Sequence, residues 1–86
     1  MRNNLKFYRK RIGLTQFEVA EALGFHHEGR IGKWEKGLSL PSTVNLLKLS
    51  VLYEASLTEL FPNEYRELQK EISKKLTAIR EKYAVL

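Results

Sequence analysis

The chain contains no cysteine, no aspartate, only two prolines, and no long apolar run. Without Cys there is no disulfide framework and no thiolate metal site, which fits a reducing, cytoplasmic setting. Without Asp, and with its two histidines side by side at His26 and His27, a metal centre would have to take further ligands from Glu. The glycines do not form a phosphate loop, and no nucleophile, base and orienting group stand out, so the chain reads as a non-enzyme that needs no cofactor. No stretch approaches the roughly twenty apolar residues of a membrane span, and no signal-peptide core follows Arg2, Lys6, Arg9, Lys10 and Arg11. With 86 residues the chain can bury one modest core, which suits a small soluble helical module.

What is abundant is positive charge, and it is unevenly placed. The net charge is +5; residues 1–40 hold eight Lys or Arg against four Glu, and residues 41–86 hold seven against six. A basic N-terminal half favours an anionic partner such as nucleic acid.

The rest of the pattern is helical, with well-marked ends. Asn3 or Asn4 can cap a first helix with Leu5, Tyr8 and Ile12 inward, closed by Gly13. Thr15-Gln16-Phe17-Glu18 is a capping box, with Leu14 placed to staple onto Val19. It opens a second helix with Val19, Ala20 and Leu23 inward and Gly24 as its stop. A third helix is expected from about Glu28 to Lys36, with Ile31 and Trp34 inward and Gly37 as its end. After Pro41, Ser42 can cap a fourth helix, running to about Tyr53, with Leu46, Leu47 and Leu49 apolar. Ser56-Leu57-Thr58-Glu59 repeats the capping box and opens a short fifth helix that halts before Pro62. No strand-like alternation, internal repeat or low-complexity segment appears, so the class is all-α.

From Asn63 to about Val85 runs one long amphipathic pattern. Tyr65, Leu68, Ile72, Leu76, Ile79, Tyr83 and Leu86 recur at heptad-like steps with one extra residue, while Glu67, Lys70, Glu71, Lys74 and Lys75 lie outside the stripe. Such a seam needs cover, either from the same helix of a second subunit or from the chain's own domain; a homodimer is the favoured reading. The expected organisation is a domain at 1–62 and a dimerisation helix at 63–86.

A specific resemblance emerges from spaced matches in register. They are Arg9-Lys10-Arg11-Ile12-Gly13-Leu14-Thr15-Gln16, Val19-Ala20-Glu21-Ala22-Leu23-Gly24, Ile31, Trp34-Glu35-Lys36-Gly37, Pro41-Ser42 and Ser56-Leu57-Thr58-Glu59-Leu60. The run Leu5 to Phe61, about two thirds of the chain, resembles the five-helix DNA-binding domain of the Xre and phage-repressor (Cro-like) helix-turn-helix family. Physics supports the match: Ala20 is small where two helices must cross, and Gly24 tolerates the angle of a tight turn. This chain departs from the family by one extra residue between Gly24 and Glu35. Ile31 keeps its spacing to Glu35, so the insertion lies among Phe25, His26 and His27.

The resemblance implies the function of a sequence-specific, repressor-like regulator of double-stranded DNA and assigns roles to residues. His27, at the expected helix cap, and Glu28, Gly29 and Lys33 fall where the family meets base edges. Chemistry allows Glu28 to accept from cytosine, Lys33 to donate to guanine and His27 to do either, while Gly29 offers only close approach. Arg30 reaches either a base or a phosphate. Gln16 falls at the family's backbone-clamping position, and Lys36 with the amides near Gly37 and Leu38 can grip phosphate. The resemblance also implies a structural ion pair between Arg9 and Glu35. The competing reading is a protein-interaction module that retains the fold without reading DNA, for which Gly29 and Gly32 in the third helix are the motive.

Overall fold

Side-chain caps at Thr15, Ser42 and Ser56 start three of the helices. In the computed structural model, which describes residues 2–84, six helices appear among the described residues: α1 Leu5–Arg11, α2 Gln16–Leu23, α3 Gly29–Glu35, α4 Thr43–Tyr53, α5 Leu57–Leu60 and α6 Pro62–Lys82. The class is therefore all-α, with a helix-turn-helix near the N-terminus and a long helix at the other end.

Both capping boxes form. The Thr15 hydroxyl accepts from the Glu18 amide at 3.1 Å while the Glu18 carboxylate accepts from the Thr15 amide at 2.9 Å; Ser56 and Glu59 make the same exchange at 3.1 Å each way. These bonds hold both carboxylates below the ordinary glutamate range, in each case through the backbone amide of the capping residue first and its hydroxyl second. At the other ends, Gly13, Gly24 and Gly37 take positive φ, where a side chain would be strained. Ser42 caps α4 by accepting from the Asn45 amide at 3.3 Å. Pro62 stands at the first turn of α6, where its missing amide proton costs nothing, so the residue that stops α5 also begins the long helix.

The core is closed by residues up to Phe61. Leu5, Val19, Ala20, Leu23, Ile31, Trp34, Leu49, Tyr53 and Leu60 are buried together, and partly buried Leu14 packs against this cluster. One expectation fails. Ile12 is not part of the buried stripe, because α1 ends at Arg11 and Ile12, as its cap, is turned outward; Arg9 occupies the inward place instead. Leu47 is exposed, since α4 turns only Leu49 and Tyr53, with half-buried Leu46 and Leu52, to the cluster.

The N-terminal segment also ties distant helices together. Asn3 donates to the Trp34 carbonyl at 2.8 Å and Asn4 to the Glu59 carbonyl at 3.0 Å, while the Asn3 side-chain oxygen accepts from the Leu5 amide. In contrast, α6 packs at its root against α5 and buries none of its residues. The molecule is 58 Å long and 22 by 20 Å across. A helix of this length spans about 31 Å at 1.5 Å per residue, so much of the long dimension is α6 alone. Leu86 of the apolar stripe, and Val85, lie outside the described residues.

Candidate nucleic-acid interface

The angle between α2 and α3 is fixed by a buried polar network. In α1, Arg9 donates from Nε to Glu35 Oε2 at 2.6 Å, from Nη2 to Glu35 Oε1 at 3.1 Å and from Nη1 to the Leu14 carbonyl at 3.0 Å. Gln16, the first residue of α2, donates from Nε2 to Glu35 Oε1 at 3.0 Å. One carboxylate at the end of α3 thus receives donors from α1 and α2. The fork-to-fork geometry satisfies it while its surroundings are largely dry. The hydrogen bonds Arg9 donates to Glu35 raise its guanidinium above its already high ordinary value, so the cation is permanent. The Tyr53 phenol lies near the pair; burial first, and the Glu35 charge second, push its pKa up and keep it neutral.

The turn is pinned at its start and loose in its middle. Gly24 takes φ 88°, and the next amide, Phe25, donates to the Ala20 carbonyl at 2.8 Å. Phe25 is half-buried and packs edge-on against Trp34, with ring centroids 5.8 Å apart. The turn residues that follow, His26, His27 and Glu28, are all exposed. The backbone of α3 starts at Gly29, one residue later than the sequence suggested, with Glu28 rather than His27 at the capping position and no cap bond from the Glu28 side chain. His27 still serves that end from one residue further out: its Nδ1 accepts from the Gly29 amide at 3.3 Å. The late start has a local cause, since a glycine at 29 and another at 32 lower helix propensity and no Ser, Thr or Asn stands at the cap.

Ile31 and Trp34 are buried, which turns Gly29, Gly32, Lys33 and Lys36 to the opposite face. Gly29, Lys33 and Lys36 are exposed or open along that face, whereas Gly37 is half-buried at the stop. Gly32 lies against Gln16: a Cβ there would sit 3.6 Å from the Gln16 side-chain oxygen, an ordinary contact. A Cβ on Gly29 would crowd the His27 ring at 3.2 Å. Arg30 leaves the centre of the face and lies over the Phe25 ring, 4.7 Å from its centroid. No local pattern in the sequence signals that Phe25 carries an arginine.

The structure thus brings Gln16, Gly32 and Glu35 together at one side of α3 and sets Lys33 and Lys36 on its open face. His27 and Arg30 come together with Phe25 at its start. Lys10, Thr15, Gln16 and Glu28 border a shallow depression of about 480 Å³ beside the start of α2. The residues of the other predicted surface, Leu68, Ile72, Leu76, Ile79 and Tyr83, are 41–65% exposed along α6, far down the chain from this face. No helix is long and apolar enough to cross a membrane among the described residues.

No curated protein matches the chain. A family model described as helix-turn-helix matches residues 5–60, from the start of α1 to the end of α5. The match covers every buried core residue but Phe61, both glycine-stopped helices of the motif and both capping boxes, and so the chain belongs to the Xre/Cro-like helix-turn-helix family of DNA-binding transcription regulators.

Proposed function

We propose that the protein is a sequence-specific repressor that reads the major groove with the outward face of α3 and binds a palindromic operator as a homodimer. The observation that carries this is the open face of α3: Gly29 and Gly32 leave it low, Lys33 and Lys36 make it basic, and the Arg9–Glu35–Gln16 network fixes its tilt. Lys33 is the side chain best placed to donate to a guanine edge, with Glu28 and His27 reading at the start of the helix and Gly29 admitting close approach. Arg30, held over Phe25 to the side, suits a phosphate better than a base. Gln16 spends one amide proton on Glu35 and keeps a second, which lets it clamp phosphate from a fixed position. Lys36 and the Gly37 amide supply the opposite grip. Occupying an operator blocks transcription without any further activity, which is the reason for preferring a repressor.

The dimer reading rests on α6. Its stripe leaves six large side chains, from Tyr65 to Tyr83, 41–65% exposed, where fully burying a Leu or Ile is worth about 1.5–3 kcal/mol, while the preceding residues already close their own core. Selection of duplexes from a random pool by the full chain tests both parts at once. The expected outcome is a palindrome with half-sites about one helical turn apart; enrichment of no sequence would refute the reading.

One observation favours a second reading. Val44, Leu47 and Val51 form an exposed apolar stripe on α4 beside Ala22, a surface suited to a protein partner. A chain that fails to shift any duplex in a gel, at low as well as moderate salt, would be such a module.

A further inference from the structure

The apolar stripe of α6 has a regular spacing. Tyr65, Leu68 and Ile72 are followed at eleven residues by Leu76, Ile79 and Tyr83 in the same steps. Eleven residues make three turns at about 3.67 per turn, so the stripe runs almost straight along the helix and suits a partner helix lying alongside with little supercoil. All six side chains are at least 41% exposed.

The charges beside the stripe are not symmetric. At 3.6 residues per turn, one edge carries Glu64, Glu71, Lys75 and Lys82, acidic toward the root of the helix and basic toward its tip. The other edge carries Gln69 and Arg80, with Arg66 and Ser73 further round. A parallel pair would set the first edge of one helix against the second edge of the other. Lys75 would then face Arg80, and Glu64 would face only Gln69. An antiparallel pair sets the first edge against its own reverse.

We propose, on the homodimer reading above, that α6 pairs antiparallel with α6 of a second copy about a two-fold near Ser73 and Lys74, with Glu64 against Lys82 and Glu71 against Lys75. Both acidic positions meet basic ones in a single register, and that same register places Ile72 opposite Leu76, Leu68 opposite Ile79 and Tyr65 opposite Tyr83. Glu71 and Lys75 are already neighbours within one helix, 3.8 Å apart; across the two-fold they complete a square of alternating sign. The tip of the second helix also comes to the groove of about 230 Å³ between Leu40, Leu57, Phe61 and Tyr65 at the root of the first. Tyr83, 65% exposed in the single chain, is covered there. The two DNA-binding ends then stand apart by about the length of α6, roughly 31 Å, close to the roughly 34 Å of one DNA turn.

The absence of cysteine makes the test clean. Chains carrying Glu64→Cys and Lys82→Cys are mixed and oxidised, and self-association is measured by sedimentation for the unaltered chain, for K75E/K82E and for E64K/E71K. The antiparallel pair predicts a mixed disulfide. Each double variant should self-associate about tenfold or more weakly at low salt, with like charges now facing, and an equimolar mixture of the two should recover association. Recovery in the mixture shows that neither variant failed by misfolding. A dimeric unaltered chain that gives no mixed disulfide, with K75E/K82E associating as well or better, would overturn the antiparallel register and leave the homodimer standing. An unaltered chain that stays monomeric at high micromolar concentration would remove the homodimer and the register together.

Discussion

Leu49 and Leu76 are the same side chain at the middle of two helices, yet Leu49 is fully covered and Leu76 is 41% exposed. The same contrast holds for ion pairs. Arg9 and Glu35 meet at 2.6 Å with side chains 9% and 4% exposed, whereas Glu71 and Lys75 meet at 3.8 Å with both more than half exposed. The buried apolar residues up to Phe61 pack against one another in a single cluster. The helix that follows has the composition of an interface and buries none of its residues. The first region is stabilised by packing within the chain; on the homodimer proposal, the second gains its cover by association and depends on concentration.

The sharpest way to break this contrast is through the ion pairs. Replacing Glu35 by Ala strands the Arg9 cation in a dry place and also frees Gln16, and should lower unfolding stability by about 3–5 kcal/mol. Replacing Glu71 by Ala should leave it within about 0.5 kcal/mol. In a double-mutant cycle on denaturant unfolding, the Arg9→Ala, Glu35→Ala double variant should lose less than the sum of its singles. Additive losses would show that the pair does not act as a unit.

Apolar truncation gives the next largest effect. Leu49→Ala should cost about 2–5 kcal/mol through the cavity it leaves. Leu76→Glu with Ile79→Glu should leave the cooperative unfolding of a dilute, monomeric sample nearly unchanged, and abolish association in sedimentation. A large loss of monomer stability in that double variant would mean that α6 folds back on its own chain.

Gly32 sharpens the comparison at the open face of α3. Its added Cβ meets only ordinary contact with Gln16, so Gly32→Ala should stabilise the fold by up to about 1 kcal/mol through helix propensity. If α3 approaches DNA along this face, the same change should weaken duplex binding. A rise in both would argue that the face is not the one used.

The smallest expected effect is on pH. Glu18 and Glu59 are held below the ordinary glutamate range by their caps, so the stability they contribute is present above about pH 4.3, the unfolded value. It is lost as pH falls further, through their folded values. No carboxylate of α6 has such a partner at its cap, so truncating α6 carboxylates should leave this acid sensitivity intact. Glu18→Gln with Glu59→Gln should flatten the pH dependence of the unfolding midpoint in the acid range.

Much of the fold is legible in the sequence because its signals are local. Each capping box is complete within four residues, and the glycines at 13, 24 and 37 mark helix ends by backbone angle alone. What escapes local reading depends on distant partners. The sequence suggests that Gln16 faces outward to phosphate, but not that Glu35, nineteen residues on, holds it in place. It does not show that Arg30 lies over Phe25, or that His27 serves α3 from outside the helix. Ile12 fits a helical stripe until the helix ends one residue too early for it.

The account turns on α3 as the element that reads sequence. The most direct test compares the unaltered chain and Lys33→Ala on the selected operator, on operators changed one base pair at a time, and on random duplex, all at one salt concentration. A loss of about 1–3 kcal/mol on the operator, with preference relaxed at a single position and random binding nearly unchanged, is the predicted result. Equal losses on operator and random duplex would contradict it, and would make Lys33 a phosphate contact on a helix that does not choose bases.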